Sequence, residues 1–288
     1  MVEQCVAILG PGLLGGSLAM AIREQNLAGR VHVWARREQA VAQVTAAGLA
    51  NLAGTDLREV TADASLIILA TPVPFMRDIA GQLATFSLQP NVLVTDVGSV
   101  KAPVVQQVGA ALRAAGIDFI GSHPMAGSEQ AGLEAARAHL FHGAACIITP
   151  ETDTDDAQLH RLEQWWSALG CRVSLLAPGT HDEAIGRISH IPHIAAAALA
   201  LTTLNRDPTL AQLAGQGFRD STRVAAGDPD LWLGILKENR EALLDPLRDL
   251  HEELGRVLAI LENMNDEHLL KFLQDAKNLR DSCQQPGS

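Results

Sequence analysis

The sequence predicts an α/β chain in two parts: a parallel sheet covered by helices as far as residue 178, and an all-helical region over 179–288. Three observations carry this. Short apolar runs alternate with amphipathic stretches through the first half, the pattern of strands and the helices that cover them. A glycine-rich turn, LGPGLLGG, joins the first run to the first helix. After Gly179 the apolar residues change to a spacing of three and four, the period of a helix face.

The strands read in order as QCVAILG (4–10), RVHVWA (30–35), SLIILAT (65–71), VLVTDVG (92–98), DFIGS (118–122) and ACIIT (145–149). CRVSLL (171–176), after a helix at about 155–169, is placed as an extension of the same sheet. Pro150 and ETDTDD form an exposed linker. Thr180-His181-Asp182-Glu183 fits a capping box, in which the Thr hydroxyl takes a free backbone N–H and the Glu reaches back. Ala184, Ile185, Ile188, Ile191, Ala195, Ala198 and Leu199 then form a helical stripe. Pro192 inside that helix cannot donate to the carbonyl of Ile188, which predicts a kink. Asp228-Pro229 and Asp245-Pro246 each set a capping acid before a proline and open later helices. Two further amphipathic segments lie near 246–263 and 265–281, and the tail CQQPGS is expected to fray. Stripes this wide in about 110 residues predict a homodimer through the helical region.

Composition narrows the partners. The chain has 288 residues, 47% of them hydrophobic, and a net charge of -11. That charge disfavours nucleic acid and anionic membrane surfaces, and an anionic small-molecule substrate would need a local basic pocket. MVEQCVAILGPG runs directly into a strand pattern, so no signal peptide is expected. The apolar run IAAAALAL (194–201) is too short to span a bilayer. Cys5, Cys146, Cys171 and Cys283 have neither metal nor redox spacing. They read as reduced thiols of a cytoplasmic protein.

Gly10-x-Gly12-x-x-Gly15 sits between a strand and a helix, with a second strand at the right distance. In that context it is the fingerprint of a Rossmann dinucleotide-binding domain. Gly10 permits the turn, Gly12 lets backbone approach a pyrophosphate, and Gly15 lets the helix pack on the sheet, with Leu13 and Leu14 opening that helix. An NAD enzyme usually carries Asp or Glu at the end of the second strand. This chain has Trp34-Ala35-Arg36-Arg37 there. Paired guanidiniums suit a 2′-phosphate, which favours NADP over NAD. Thr71 and Pro72, at the end of the third strand, lie where the cofactor ribose is expected.

Three segments can converge at the mouth of this sheet: TDVGSVK (95–101), GSHPMAG (121–127) and the helical region around Pro192. His123 follows a strand end, and Pro124 restricts its backbone. Ser189, His190 and His193 surround Pro192, and GFRDSTR (217–223) offers Arg219 and Arg223. Arg223 is the favoured clamp for a substrate carboxylate. No Cys or carboxylate is spaced to complete a zinc site with the histidines, so no metal is expected.

GSHPMAGSEQAG, DVGSVK, SHIPH and GFRDSTR, in their order along the chain, resemble the prephenate/arogenate dehydrogenases of tyrosine biosynthesis. The resemblance covers nearly the whole chain, and the His-Pro-Met-Ala-Gly segment is its most specific part. It implies a Rossmann domain (1–178) followed by an all-helical dimerisation domain (179–288). It implies oxidative decarboxylation, in which a cyclohexadienol gives its C4 hydride to NAD(P)+, loses CO2 and becomes aromatic. His123 would take the ring hydroxyl proton, an imidazole being suited to that task near neutral pH. Ser99 would orient His123. Arg223 would bind a carboxylate, and His190 and His193 would place the side chain or ring. Ser128, Glu129 and Asp220 would lie at the pocket entrance, where the acids could pair with Arg223. Two other readings remain open: a β-hydroxyacid or 6-phosphogluconate type dehydrogenase, and a non-catalytic NADP-binding sensor. The first uses a lysine in its helical domain, and this chain has none between Lys101 and Lys237.

Overall fold

The computed structural model describes residues 2–128 and 130–283. The chain divides into two packed units, Met1–Arg240 and Glu241–Ser288. In the first, six parallel strands run β1 (Glu3–Leu9), β2 (Ala28–Trp34), β3 (Leu52–Gly54), β4 (Leu66–Leu69), β5 (Leu93–Asp96) and β6 (Asp118–Phe119). Their order across the sheet is β3-β2-β1-β4-β5-β6. The order reverses between β1 and β4, and a crevice opens there beyond the carboxyl ends of the strands.

Alternating side chains build a core on each face of this sheet. Val6, Ile8, Leu66 and Ile68 face Leu18 and Ile22 of α1 (Leu13–Gln25) and Leu162 and Trp166 of a helix at Asp156–Ala168. Ala7, Leu9, Ile67 and Leu69 face Met76, Ile79 and Leu83 of the helix Val73–Leu83. The Asp156–Ala168 helix is tied to β1 by Arg161, whose Nε donates to Glu3 Oε1 at 2.8 Å while Nη2 donates to the Ser65 carbonyl at 2.9 Å. The strand β3 and the helix Leu57–Thr61, three and five residues long, have too few residues to show a period in the sequence.

Two expectations are corrected here. DFIGS is not one strand. After β6 and Ile120 the chain leaves the parallel sheet as β7 (Gly121–Pro124), which pairs antiparallel with β8 (Ala145–Thr149). CRVSLL, as β9 (Arg172–Leu175), pairs in parallel with β8 and so extends this second sheet, not the first. The junction is too tight for a side chain: a Cβ on Gly121 would meet Thr149 Oγ1 at 2.6 Å.

The helical part of the first unit also departs from the sequence pattern. The long helix runs over Pro178–Leu204 and begins with Pro178 in its first turn after Ala177, so the Thr180–Glu183 capping box is not used. Thr180 is already inside the helix, and Asp182 is turned to another task. A π-helical turn at Gly186–His190 precedes Pro192. The added residue leaves Pro192 near the start of the next α-helical stretch, where its missing N–H disturbs least. It also rotates the buried face: Ile188 is 68% exposed, while Ile185, His190, Ile191 and His193 are buried. This helix is apolar enough to cross a bilayer by length and composition alone. Its buried face nonetheless carries His181, Asp182 and His190, hydrogen-bonded to groups of the protein, as in a core helix. Asp228 caps the helix Pro229–Glu238 as expected, accepting Leu231 N–H at 2.9 Å.

The second unit consists of most of the helix Arg240–Glu262 and the helix Asp266–Ser282. Pro246 lies inside the first of these, so Asp245-Pro246 opens no helix; its fixed φ is compatible with the helical backbone. Leu247, Leu254, Leu258, Leu261, Leu270, Leu273 and Leu279 are exposed along the two helices.

Candidate active site

The crevice between β1 and β4 fits a dinucleotide. Gly10 has φ +114°, and a Cβ there would meet the Ala70 carbonyl at 2.8 Å. A Cβ on Gly15 would fall 1.9 Å from the Gly10 carbonyl, so turn and helix touch through glycine alone. Gly12 faces open space, and no side chain caps the first turn of α1 at Leu13 and Leu14. Its free N–H groups are therefore available to a phosphate. Thr71 Oγ1 is buried at the crevice without a hydrogen-bond partner among the described residues, an orphan that a ribose hydroxyl would satisfy. Beyond β2, Trp34 Nε1 donates to the Thr55 carbonyl at 2.9 Å. Arg36 and Arg37 are exposed, and the Arg36 guanidinium lies 5.3 Å from the centre of the Phe75 ring. Pro72 is exposed at the start of the Val73–Leu83 helix. Glu38, the first carboxylate after β2, accepts from Thr55 Oγ1 at 3.1 Å.

A buried ion pair fixes β7 beside β5. Lys101 Nζ pairs with Asp96 Oδ2 and donates to the Ser122 carbonyl at 2.9 Å. Asp96 also accepts Gly98 N–H at 2.8 Å and Ser122 N–H at 3.1 Å. Trp166 Nε1 donates to Ser122 Oγ at 3.1 Å. Ser122, the residue before His123, is thus pinned, and β7 carries the imidazole on a strand paired with β8.

His123 is buried, and its Nδ1 lies 2.9 Å from His181 Nε2. His181 Nδ1 lies 2.8 Å from Asp182 Oδ1. Asp182 in turn accepts the backbone N–H of Lys101 at 2.7 Å and of Ala102 at 2.8 Å. His123 Nε2 has no hydrogen-bond partner among the described residues. Ser99, expected to orient His123, is half-buried in the adjacent loop, and the contact that orients the ring comes from His181. Asn239, at the end of the Pro229–Glu238 helix, donates through Nδ2 to Nδ1 of His190 on the His181 helix at 2.9 Å and to the Asp182 carbonyl at 3.1 Å. That fixes the proton of neutral His190 on Nε2, which is buried and has no partner among the described residues. His193 stacks on Trp232 with ring centres 3.5 Å apart, and its Nδ1 is likewise buried and unpartnered.

Burial governs the titration of these rings. It pushes His123 well below its ordinary value, and the neighbouring His181, Lys101 and His190 act in the same direction. It lowers His181 despite the bond to Asp182, and takes His190 down to about 4. His193 is also lowered by burial. All four imidazoles are neutral near pH 7.

The remaining expected residues lie on exposed backbone. Arg219 Nε donates to the Ala214 carbonyl at 3.2 Å, and Asp220 accepts from Gln216 Nε2 at 2.7 Å. Arg223 begins the 3-10 turn Arg223–Ala226 and is exposed. Ser128 Oγ accepts Gln130 N–H at 3.1 Å, and Glu129 lies outside the described residues. Among the described residues, no group of three His, Cys, Asp or Glu could hold a metal ion.

His181, Asp182, Lys101, Asn239 and Trp232 were not read as site residues from the sequence. For His181 a signal was available. It precedes Ile185 by four residues, which puts it on the apolar stripe and so in the interior.

Residues 18–175 match the model of the prephenate dehydrogenase nucleotide-binding domain, and residues 177–275 that of the prephenate dehydrogenase dimerization domain. The chain is 32% identical to the prephenate dehydrogenase of Bacillus subtilis, over 97% of this chain and 76% of that one. The prephenate dehydrogenase of Aquifex aeolicus, solved with hydroxyphenyl propionate and NAD+, superposes with a TM-score of 0.90 at 29% identity, covering 98% of this chain and 99% of that one. The arogenate dehydrogenase of Synechocystis superposes with a TM-score of 0.80 at 30% identity, covering 97% and 99%. With both domain models matched in sequence and the same fold, the chain belongs to the prephenate dehydrogenase family.

Proposed function

We propose that the protein oxidises and decarboxylates a cyclohexadienol, prephenate in preference to arogenate, with hydride transfer to a nicotinamide cofactor. The observation that carries this is His123: a buried imidazole on strand β7, with its Nδ1 engaged and its Nε2 without a partner among the described residues. A bound nicotinamide cofactor would supply the acceptor for the C4 hydride. Gly10, Gly12 and Gly15 with the first turn of α1 would hold its pyrophosphate, and Thr71 would take the ribose. Arg36 and Arg37, exposed beyond β2, favour the 2′-phosphate of NADP. Glu38 is engaged by Thr55, which supports the same preference.

As hydride leaves C4, His123 Nε2 takes the proton of the C4 hydroxyl. Loss of CO2 from C1 returns its bonding electron pair to the ring, which becomes aromatic, and His123 gives the proton back to the phenolate oxygen. The imidazole therefore borrows a proton and releases none, so a base that is readily neutral suffices. Arg223 binds a substrate carboxylate. His190 Nε2–H and His193 Nδ1, both buried and without partners among the described residues, complete the polar wall. Ser99 contacts the substrate hydroxyl, with Ser128, Glu129 and Asp220 at the entrance. The absence of lysine between Lys101 and Lys237, and the burial of Lys101 against Asp96, disfavour the β-hydroxyacid type of dehydrogenase. A cofactor sensor would not need the His123 arrangement.

The exposed leucines of the two C-terminal helices support a homodimer through the helical region. A solution mass of twice 30.6 kDa is expected, and a monomer at micromolar concentration would contradict it. Purified protein is expected to reduce NADP+ faster than NAD+ in the presence of prephenate. No reduced cofactor with prephenate or arogenate would sink the reading. His123→Asn should bind cofactor normally and lose about 10²–10⁴-fold in kcat. Arg223→Gln should act chiefly on the KM for substrate.

Acidification should weaken the fold. An unfolded His190 binds a proton near 6.5, whereas the folded one does so only near 4. The unfolded chain therefore binds more protons between those values, and stability falls as pH drops through that window. From pH 7 to pH 5 the loss from His190 alone is about 2 kcal/mol, with His123 and His181 acting in the same direction. Urea unfolding at the two pH values checks this; equal stabilities would contradict buried neutral imidazoles.

A further inference from the structure

We infer that His181 and Asp182 are positioning residues for the base: with His123 they form a buried hydrogen-bonded relay that fixes the His123 tautomer and supports its transient positive charge. The inference rests on the reading of His123 as the base. Its direction follows from the far end. Asp182 accepts two backbone N–H bonds, from Lys101 to Oδ1 and from Ala102 to Oδ2, which hold it as a carboxylate that can only accept. The bond of 2.8 Å to His181 must then be donated by His181 Nδ1–H. A neutral His181 so protonated has a bare Nε2, which can only accept. The 2.9 Å contact with His123 must therefore be donated by His123 Nδ1–H. The lone pair of His123 is left on Nε2, the nitrogen without a partner among the described residues.

Neither His181 nor Asp182 needs to touch substrate for this. Both are buried, and the two imidazoles meet edge-on with ring centres 5.1 Å apart. When Nε2 takes the substrate proton, the cation on His123 donates to His181, whose own proton rests on the Asp182 carboxylate. The arrangement is that of a triad without a nucleophile: a carboxylate fixes a tautomer at one remove and stays ionised. The other ionisable groups around the relay are Asp96 at the end of β5, paired with Lys101 five residues on, and His190 on the helix of His181. The backbone of Lys101 does the anchoring while its ammonium serves Asp96, so one short segment holds both the relay and β7.

Kinetics and spectroscopy test this separately. Asp182→Asn and His181→Leu should each lower kcat by about 10²–10⁴-fold, with the KM for substrate and the Kd for cofactor nearly unchanged. In His181→Leu the acid limb of the kcat profile should move to lower pH, because the protonated base has lost its acceptor. His181→Gln, whose amide oxygen can still accept from His123 Nδ1–H, should recover at least tenfold over His181→Leu. Nitrogen-15 NMR of histidine-labelled wild-type protein, with the His123 signals assigned by their loss in His123→Asn, should show Nδ1 protonated and Nε2 bare at pH 7. That readout needs neither turnover nor stable relay variants, so it decides the relay even if the substrate proves different. A His123 protonated on Nε2, or a His181→Leu enzyme within about threefold of wild type with an unmoved pH profile, would overturn the inference.

Discussion

The carboxylate of Asp182 is the point on which the site depends. It joins the first turns of the Pro178–Leu204 helix to the backbone at Lys101 and Ala102, and so to the end of β5. Charge-assisted bonds to backbone N–H groups are among the stronger hydrogen bonds available to a protein, and burial excludes competing water. Without that anchor His181 would have no fixed donor direction and His123 no fixed tautomer. The same short loop carries Lys101, whose ammonium lies against Asp96 and the Ser122 carbonyl. The His181–Asp182 pair and the strand that bears His123 are therefore fastened to one seven-residue segment of backbone, from Asp96 to Ala102.

Two kinds of electrostatics coexist across the crevice. At the cofactor end the groups are exposed and ready for anions: free N–H groups at the start of α1, and Arg36 and Arg37 beyond β2. At the chemical end the groups are buried and neutral or paired. Burial depresses the histidines, and a reaction that returns its proton does not require a resting imidazolium. A chain of net charge -11 can thus handle an anionic substrate, because the local field and not the total charge decides what enters.

Local signals in the sequence were legible, and long-range ones were not. The glycine turn, the alternation of strands and helices and the Asp228 cap depend on neighbours within a few residues. The split of DFIGS depends on Asp96 reaching Ser122 N–H and on Thr149 crowding Gly121, contacts that join segments 26 and 28 residues apart. THDE satisfied a capping box in sequence, yet Pro178 had already begun the helix, and Asp182 was taken by Lys101, 81 residues away. The stripe through Ile188 assumed an unbroken α-period. The π turn at Gly186–His190 shifts it, turning Ile188 outward and His190 inward. A strand end and a following proline mark His123 in the sequence, whereas His181 and Asp182 are marked only by position on a helix face.

The account stands on His123 Nε2 meeting the oxygen at C4. A crystal structure of the protein with oxidised cofactor and the aromatic product measures that contact directly. The account predicts the phenolic oxygen within about 2.6–3.2 Å of His123 Nε2, with the His123–His181–Asp182 contacts kept. A product bound with its phenolic oxygen away from His123, or a His123 ring turned from His181 in that complex, would contradict it.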